Sequence, residues 1–420
     1  MPISDTASLQ SNNVSYAPVW EAHPPPLGIY IHIPFCAARC IYCDFNTYID
    51  LDHLKTGYVD AAQREIKMVG RALNRPPAQT IFFGGGTPTA LAPEHLARLI
   101  DACRRVFDLS PTAEITVEAN PGSVNAEGLR ALRAAGVNRL SFGVQSFDDA
   151  TLRFLGRIHS ADEARRAVDE ARRAGFDNIN LDLIYGLPRQ SLAEWQATLE
   201  AALALEPAHL SLYALIVEPG TPLQRSIERG DIPPPDDDEA AAQYEWTLER
   251  LARAGYTQYE ISNWALAQPD DGITPRLASQ HNLIYWRNQF YVGIGAGAHS
   301  YVRGVRYANV RHPQTYMRAV MREQTPDDLP APALDPATRD PIDVALAQSE
   351  QMMLGLRLVR EGVSAAQFAQ RFGATLEARF GATIETLLAR DLLMWDGDRL
   401  RLTRRGLLLA NQVMAAFLPD

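Results

Sequence analysis

Residues 28–48 read GIYIHIPFCAARCIYCDFNTY. The apolar run Ile29 to Ile33 reads as a strand, and the loop after it holds three of the chain's four cysteines, Cys36, Cys40 and Cys43, spaced Cys-x3-Cys-x2-Cys. Three thiolates this close in sequence can converge on one metal centre. A cubane with four irons and only three protein ligands keeps one iron open to an external ligand, and chemistry can happen there. Two blander readings compete. A disulfide suits an oxidising compartment, whereas four cysteines in 420 residues with no secretory signal point to a reducing one. A structural zinc site wants a fourth Cys or His at finger spacing, and none follows nearby.

The same strand-and-turn pattern repeats downstream. Thr80-Ile81-Phe82-Phe83 reads as a second buried strand and ends in Gly84-Gly85-Gly86-Thr87-Pro88, where side-chain-free backbone can approach a ligand. Further strands are expected at Glu114 to Ala119, Arg139 to Val144, Ile179 to Ile184 and His209 to Leu215, separated by helical segments such as 161–174. Six nearly apolar strands alternating with helices predict a parallel sheet covered by helices, and six rather than eight predicts an incomplete β/α barrel. Glu118, Gln145 and Asp182 stand at or near the C-terminal ends of these strands, the end that carries the active site in such barrels. Singly, each reads as well as a turn cap, a loop amide or a satisfied core carboxylate. Together they suggest a ring of donors and acceptors around one polar ligand.

Length and charge bound the rest. A chain of 420 residues is too long for one ordinary core, and a net charge of −10 argues against a generic nucleic-acid surface. No apolar run approaches the roughly 20 residues that cross a bilayer, and no targeting peptide is visible, which predicts a cytoplasmic protein. The expected division is a flexible segment over 1–27, a catalytic-type domain over 28–325, a Pro-rich linker over 326–342 and a C-terminal domain over 343–420. The last domain reads as helices followed by the hairpin LLMWDGDRLRLT, turned at Asp396-Gly397, in a winged-helix-like pattern. Arg399, Arg401, Arg404 and Arg405 would suit DNA, but fold alone does not decide that function. Cys103, in LARLIDACRRVF, reads as a core residue.

The cysteine spacing resembles that of the radical S-adenosylmethionine (SAM) superfamily. GGGTP, VEANP, GVQSF and NLDLIYGLP are similar to motifs of the oxygen-independent coproporphyrinogen III dehydrogenase family. The resemblance spans about residues 28–415. It implies a [4Fe-4S] cluster on Cys36, Cys40 and Cys43, SAM on the open iron, and SAM contacts by Tyr30, Gly85, Gly86, Thr87, Glu118, Gln145, Arg157 and Asp182. Arg157, in FLGRIHS, suits the SAM carboxylate, because a guanidinium pairs well with carboxylates.

The second informative stretch is 256–301, with Gln280-His281-Asn282-Leu283-Ile284-Tyr285-Trp286 and then GIGAGAHSY. A histidine beside flat aromatic surface suits a porphyrin, although such a histidine is more often packed and hydrogen-bonded. HNLIYW resembles the HNxxYW motif of haem chaperones of the HemW type within this family. Phe45 stands where the coproporphyrinogen dehydrogenases carry a further cysteine. At both places the chain is similar to the chaperones and departs from the enzymes. The resemblance therefore implies haem binding, with His281 as the candidate contact, and delivery to apo-haemoproteins such as respiratory-chain components. It leaves homodimerisation, peripheral membrane contact and SAM cleavage open. The alternative it carries is oxidative decarboxylation of coproporphyrinogen III to protoporphyrinogen IX.

Overall fold

The computed structural model describes residues 26–419. The expected flexible segment 1–27 thus lies outside the described residues except at its last two positions, and Leu27 already opens a strand. That strand, β1 (Leu27–Ile33), is followed by β2 (Pro77–Gly85), β3 (Asp108–Ala119), β4 (Arg139–Gln145), β5 (Ile179–Tyr185) and β6 (His209–Ala214). They pair in parallel, each with the next, and helices join them. The helices begin where the sequence supplies caps. Ser160 with Glu163, and Ser191 with Glu194, form reciprocal capping boxes that satisfy otherwise orphaned amides.

Side chains alternate along a strand, so the pairing register decides what each face carries. Ile29, Ile31 and Ile33 are fully buried on the face that packs against the helices. The other face is unexpectedly polar. Tyr30 lies opposite Phe82, Phe82 opposite Thr116 and Thr116 opposite Arg139, while Ser141 pairs with Asn180 and Asn180 with His209. Residues of all six strands, from Tyr30 through Glu118 and Asp182 to Tyr213, line one cavity of about 170 Å³. The sheet therefore curves around it.

The expected count of six strands is corrected to twelve. Beyond the parallel six come β7 (Tyr256–Glu260), β8 (Asn263–Leu266), β9 (Tyr291–Ile294), β10 (His299–Val302), β11 (Val305–Ala308) and β12 (Asp340–Pro341). The order is β12-β11-β10-β9-β1-β2-β3-β4-β5-β6-β8-β7, with β9 parallel to β1 and β8 antiparallel to β6. β1 is thus an interior strand of a mixed, open sheet. The added strands span two to five residues, too short to show a period in sequence. The 326–342 stretch is packed rather than free: Leu329, Ala331 and Ala333 are buried in the main core and β12 pairs with β11.

The C-terminal part has its own core around Met352, Leu356, Phe368, Phe380, Leu400 and Val413. Helices surround a small sheet of β13 (Val363–Ser364), β14 (Leu393–Asp396) and β15 (Arg399–Leu402), with Gly397 at φ +60° in the hairpin turn. Three ion pairs tie it to the larger sheet's extension: Arg287 with Glu361 at 2.5 Å, Arg357 with Glu260 at 3.1 Å, and Arg306 with the buried Glu350. Arg399, Arg401 and Arg404 are held by the Glu361 carbonyl, the Val359 carbonyl and the Glu249 carboxylate.

Candidate functional site

The cysteine loop leaves the C-terminal end of β1 and returns against it, with the Cys36 amide donating to the Tyr48 carbonyl at 3.0 Å. All three thiols are partly exposed, and Cys36 and Cys43 feel the charge of their neighbouring thiols, whereas Cys103 is fully buried elsewhere. Burial pushes the Cys36 and Cys43 thiols up. Among the described residues no three His, Cys, Asp or Glu side chains converge as ligands of a single ion. A cubane asks something different: each thiolate binds a different iron, so its three ligands stand apart around the cluster. The donor set fits a three-thiolate cluster and lacks the fourth ligand of a closed zinc site.

Around this loop the polar residues fall into two groups. In the first, Arg157 Nη1 donates to Cys40 Sγ at 3.3 Å, and Nη2 donates to the Gly143 carbonyl at 2.6 Å and to Asn120 Oδ1. Its Nε is buried without a partner among the described residues, a donor left over in the place where an anionic ligand is expected. Asn120 Nδ2 donates to Thr87 Oγ1 at 2.9 Å, and Thr87 lies 3.7 Å from Cys36 Sγ. A Cβ on Gly86 would sit 3.0 Å from that sulfur and 2.7 Å from the Phe35 carbonyl oxygen, so only glycine fits. Gln145 ends β4 at φ +68°, a conformation costly for a non-glycine residue and typical of ligand sites.

The second group surrounds Glu118. Its Oε2 accepts from the Gly85 amide at 3.2 Å, and Gly85 itself has φ +108°. Burial, then the neighbouring Asp182 carboxylate, raises Glu118 to about pKa 8. Asp182, also raised by burial, accepts from Asn180 Nδ2 at 2.7 Å and Ser141 Oγ at 3.1 Å. Tyr30 bonds His32 at 3.0 Å. Two buried carboxylates facing a cavity favour a cationic ligand, which would restore their charged forms.

HNLIYW forms one short helix, Gln280–Trp286. It is seated on the polar face near the N-terminal ends of β1 to β3, the end away from the cysteine loop. Glu114 accepts from the Gln280 and His281 amides at 3.0 and 3.1 Å, a carboxylate on a helix N-terminus. Both ring nitrogens of His281 are engaged, Nδ1 with Thr80 Oγ1 at 2.7 Å and Nε2 with the Tyr285 hydroxyl at 2.9 Å. The ring stacks on Phe82 at 5.0 Å, and burial, with the Arg139 charge, lowers its pKa to about 3. Direct ligation of iron by His281 would require one of these two bonds to be given up. Trp286 turns the other way, under Arg357 of the C-terminal part at 4.3 Å.

The comparisons bear on this arrangement. Residues 30–202 match the radical SAM superfamily model, and residues 347–409 match the HemN C-terminal domain. Along 94% of this chain and 90% of the other, the fold superposes on coproporphyrinogen III oxidase (HemN) from Escherichia coli, described as a radical SAM enzyme, with TM-score 0.78 and 27% identity. The chain is 39% identical over 394 residues to the heme chaperone HemW of Bacillus subtilis, covering 93% of this chain and 99% of that one. It is 37% identical over 406 residues to HemW of Escherichia coli, covering 94% and 99%.

The chain belongs to the HemW family.

As a HemW-family protein it has an α/β radical SAM fold with a helical C-terminal domain, and the glycine cradle, the three free thiols and the orphaned Arg157 Nε fit the cluster and SAM that this superfamily carries. Phe45, beside the third cysteine, is 62% exposed. It lines a second cavity of about 580 Å³ with Tyr30, His32, Gly85, Glu118, Tyr285, Tyr291 and His299. Sequence reading missed several residues that line or support this candidate site. Arg139 and Ser141 stand two apart on β4, and Asn180 stands opposite Ser141 on β5, on strands read as apolar, a signal that the pairing register exposes. Asn120 acts from the loop after β3 on Thr87 and Arg157, and no local pattern marks it.

Proposed function

We propose that this protein is a haem chaperone, which holds haem and delivers it to apo-haemoproteins while carrying a [4Fe-4S] cluster and SAM. The observation that carries this reading is identity of 37–39% to HemW chaperones along 93–94% of the chain. Cys36, Cys40 and Cys43 hold the cluster in this reading. Arg157 takes the SAM carboxylate, with Gly86, Thr87 and Gln145 around it, and Tyr30, Gly85, Glu118 and Asp182 face its cationic parts. A reduced cluster of this superfamily supplies the electron that cleaves SAM. The protein's own part is to exclude water, fix the ligand and keep the buried carboxylates charged by binding it.

The finer points belong to the same proposal. The C-terminal domain is winged-helix-like and closes over the larger one, from which it divides near residue 343. The chain works in the cytoplasm, where thiols stay reduced. No helix among the described residues is long and apolar enough to cross a membrane, so delivery to respiratory-chain components would take place by peripheral contact. A homodimer would offer a second route of control.

The test is anaerobic. The cluster is reconstituted, haem is added, the sample is desalted, and the Soret band is read before and after mixing with an apo-haemoprotein. Stoichiometric retention followed by transfer is expected. The likeness of the whole fold to HemN favours a second reading, coproporphyrinogen III oxidation. Consumption of that substrate in step with 5′-deoxyadenosine release, without haem retention, would establish the second reading and end the first.

A further inference from the structure

The 580 Å³ cavity lies within the roughly 300–1,000 Å³ typical of cofactor pockets. Its walls are flat and aromatic at Tyr30, Tyr285, Tyr291 and Phe45, and it holds two histidines. His32 has both ring nitrogens occupied, by the Tyr30 hydroxyl and the Asn46 carbonyl. His299, the first residue of β10, has no hydrogen bond from either ring nitrogen to any described residue. Arg311 lines the same cavity and has no ion pair among the described residues.

The turn that presents His299 is rigid. Gly295 donates to Glu65 Oε2 and Ala296 to the Tyr58 hydroxyl, both at 2.8 Å, and Gly293 donates to Ser300 Oγ at 2.9 Å. Gly297, at φ +73°, leaves no room for a Cβ beside Asn46. Asn46 itself belongs to the cysteine loop, and its Nδ2 donates to the Ala296 carbonyl at 3.0 Å and the Arg311 carbonyl at 2.9 Å. The histidine and the cysteine loop are thus parts of one hydrogen-bonded unit.

We propose that the part of this cavity formed by Phe45, Tyr291, His299 and Arg311 is the seat of haem, next to the proposed SAM contacts Tyr30, Gly85 and Glu118 that line the same cavity, with His299 as the iron ligand, Arg311 as the partner of a propionate and Phe45 as an apolar cover. The proposal rests on the chaperone reading. A free imidazole on a pre-organised turn binds iron without giving up a bond, which His281 and His32 cannot do. Asp335, also on the cavity wall, accepts from the Ala337 amide, so its charge is tied to the chain there and Arg311 is the group free for a carboxylate.

The experiment uses the full chain with its cluster reconstituted and ferric haem as the probe, read by absorption, electron paramagnetic resonance and resonance Raman spectroscopy. His299 is exposed and unbonded, so His299→Ala should fold and retain its cluster. It is expected to lose the histidine-ligated haem signature and to bind haem about tenfold more weakly or worse, with the signature restored by added imidazole. Arg311→Ala should weaken binding about threefold to tenfold while keeping the signature, as loss of one charge-assisted contact requires. If the unaltered protein retains haem and His299→Ala shows the same signature and affinity, this assignment is overturned and the chaperone reading stands. If the unaltered protein retains no haem, both fall.

Discussion

At the scale of single residues, the cysteine loop separates ligands from bystanders. Replacing Cys36, Cys40 or Cys43 with Ala should each abolish bound iron and sulfide and the brown absorption, measured after anaerobic reconstitution. Cys103→Ala should retain both, since that thiol is fully buried in the helix-side core. Glu118 supports a pH prediction. Its pKa of about 8 is set by burial and Asp182, so at neutral pH it is mostly protonated. A cationic ligand stabilises the carboxylate and lowers that pKa, so binding should release a proton below about pH 8 and strengthen as pH rises toward it. Calorimetric SAM titrations in buffers of different ionisation enthalpy would measure the release. Glu118→Gln should bind more weakly and without that proton. Equal proton release in the variant would assign the titration to another group.

At the scale of elements, the HNLIYW helix acts as a plug with two faces. His281 and Tyr285, four residues apart, point into the polar face, while Trp286 meets the C-terminal domain. Tyr285→Phe removes one hydrogen bond and should cost about 1 kcal/mol; His281→Ala also leaves a cavity and should cost about 2–3 kcal/mol. Thermal unfolding under argon would read both. The six parallel strands were legible because each is a mostly apolar run, several of them ended by glycine or a polar residue, as in Phe83-Gly84 or Val144-Gln145. Their polar face was not, because Arg139, Ser141 and Asn180 look like isolated interruptions until the register aligns them. The edge strands β7 to β12 were too short to show a period. The prolines of 326–342 suggested a linker, but the stretch holds a short helical turn and the paired strand β12 and packs into the main core. The cysteines, the glycine cradle and Glu118, Gln145, Arg157 and Asp182 were legible as candidates. The engagement of His281 Nδ1 depends on Thr80, 201 residues away, and could not be read locally.

At the scale of the molecule, three ion pairs hold the C-terminal domain to the sheet extension. Glu350 is 5% exposed and pairs with Arg306, so Glu350→Ala leaves a half-buried guanidinium without its carboxylate and should cost about 2–3 kcal/mol. Limited proteolysis should then cut between the domains sooner, with the spectrum of the cluster unchanged. Early and indistinguishable cluster loss would mean that the two regions unfold together. The interior position of β1 has a consequence for how the chain is made. Its loop is translated first, yet the groups that clamp Asn46 lie 250 and 265 residues later, at Ala296 and Arg311. At about 5–20 residues per second a ribosome needs on the order of ten to fifty seconds to reach them. For that interval the nascent cysteines emerge without their final support, and iron should be acquired only after synthesis has passed β11 and Arg311.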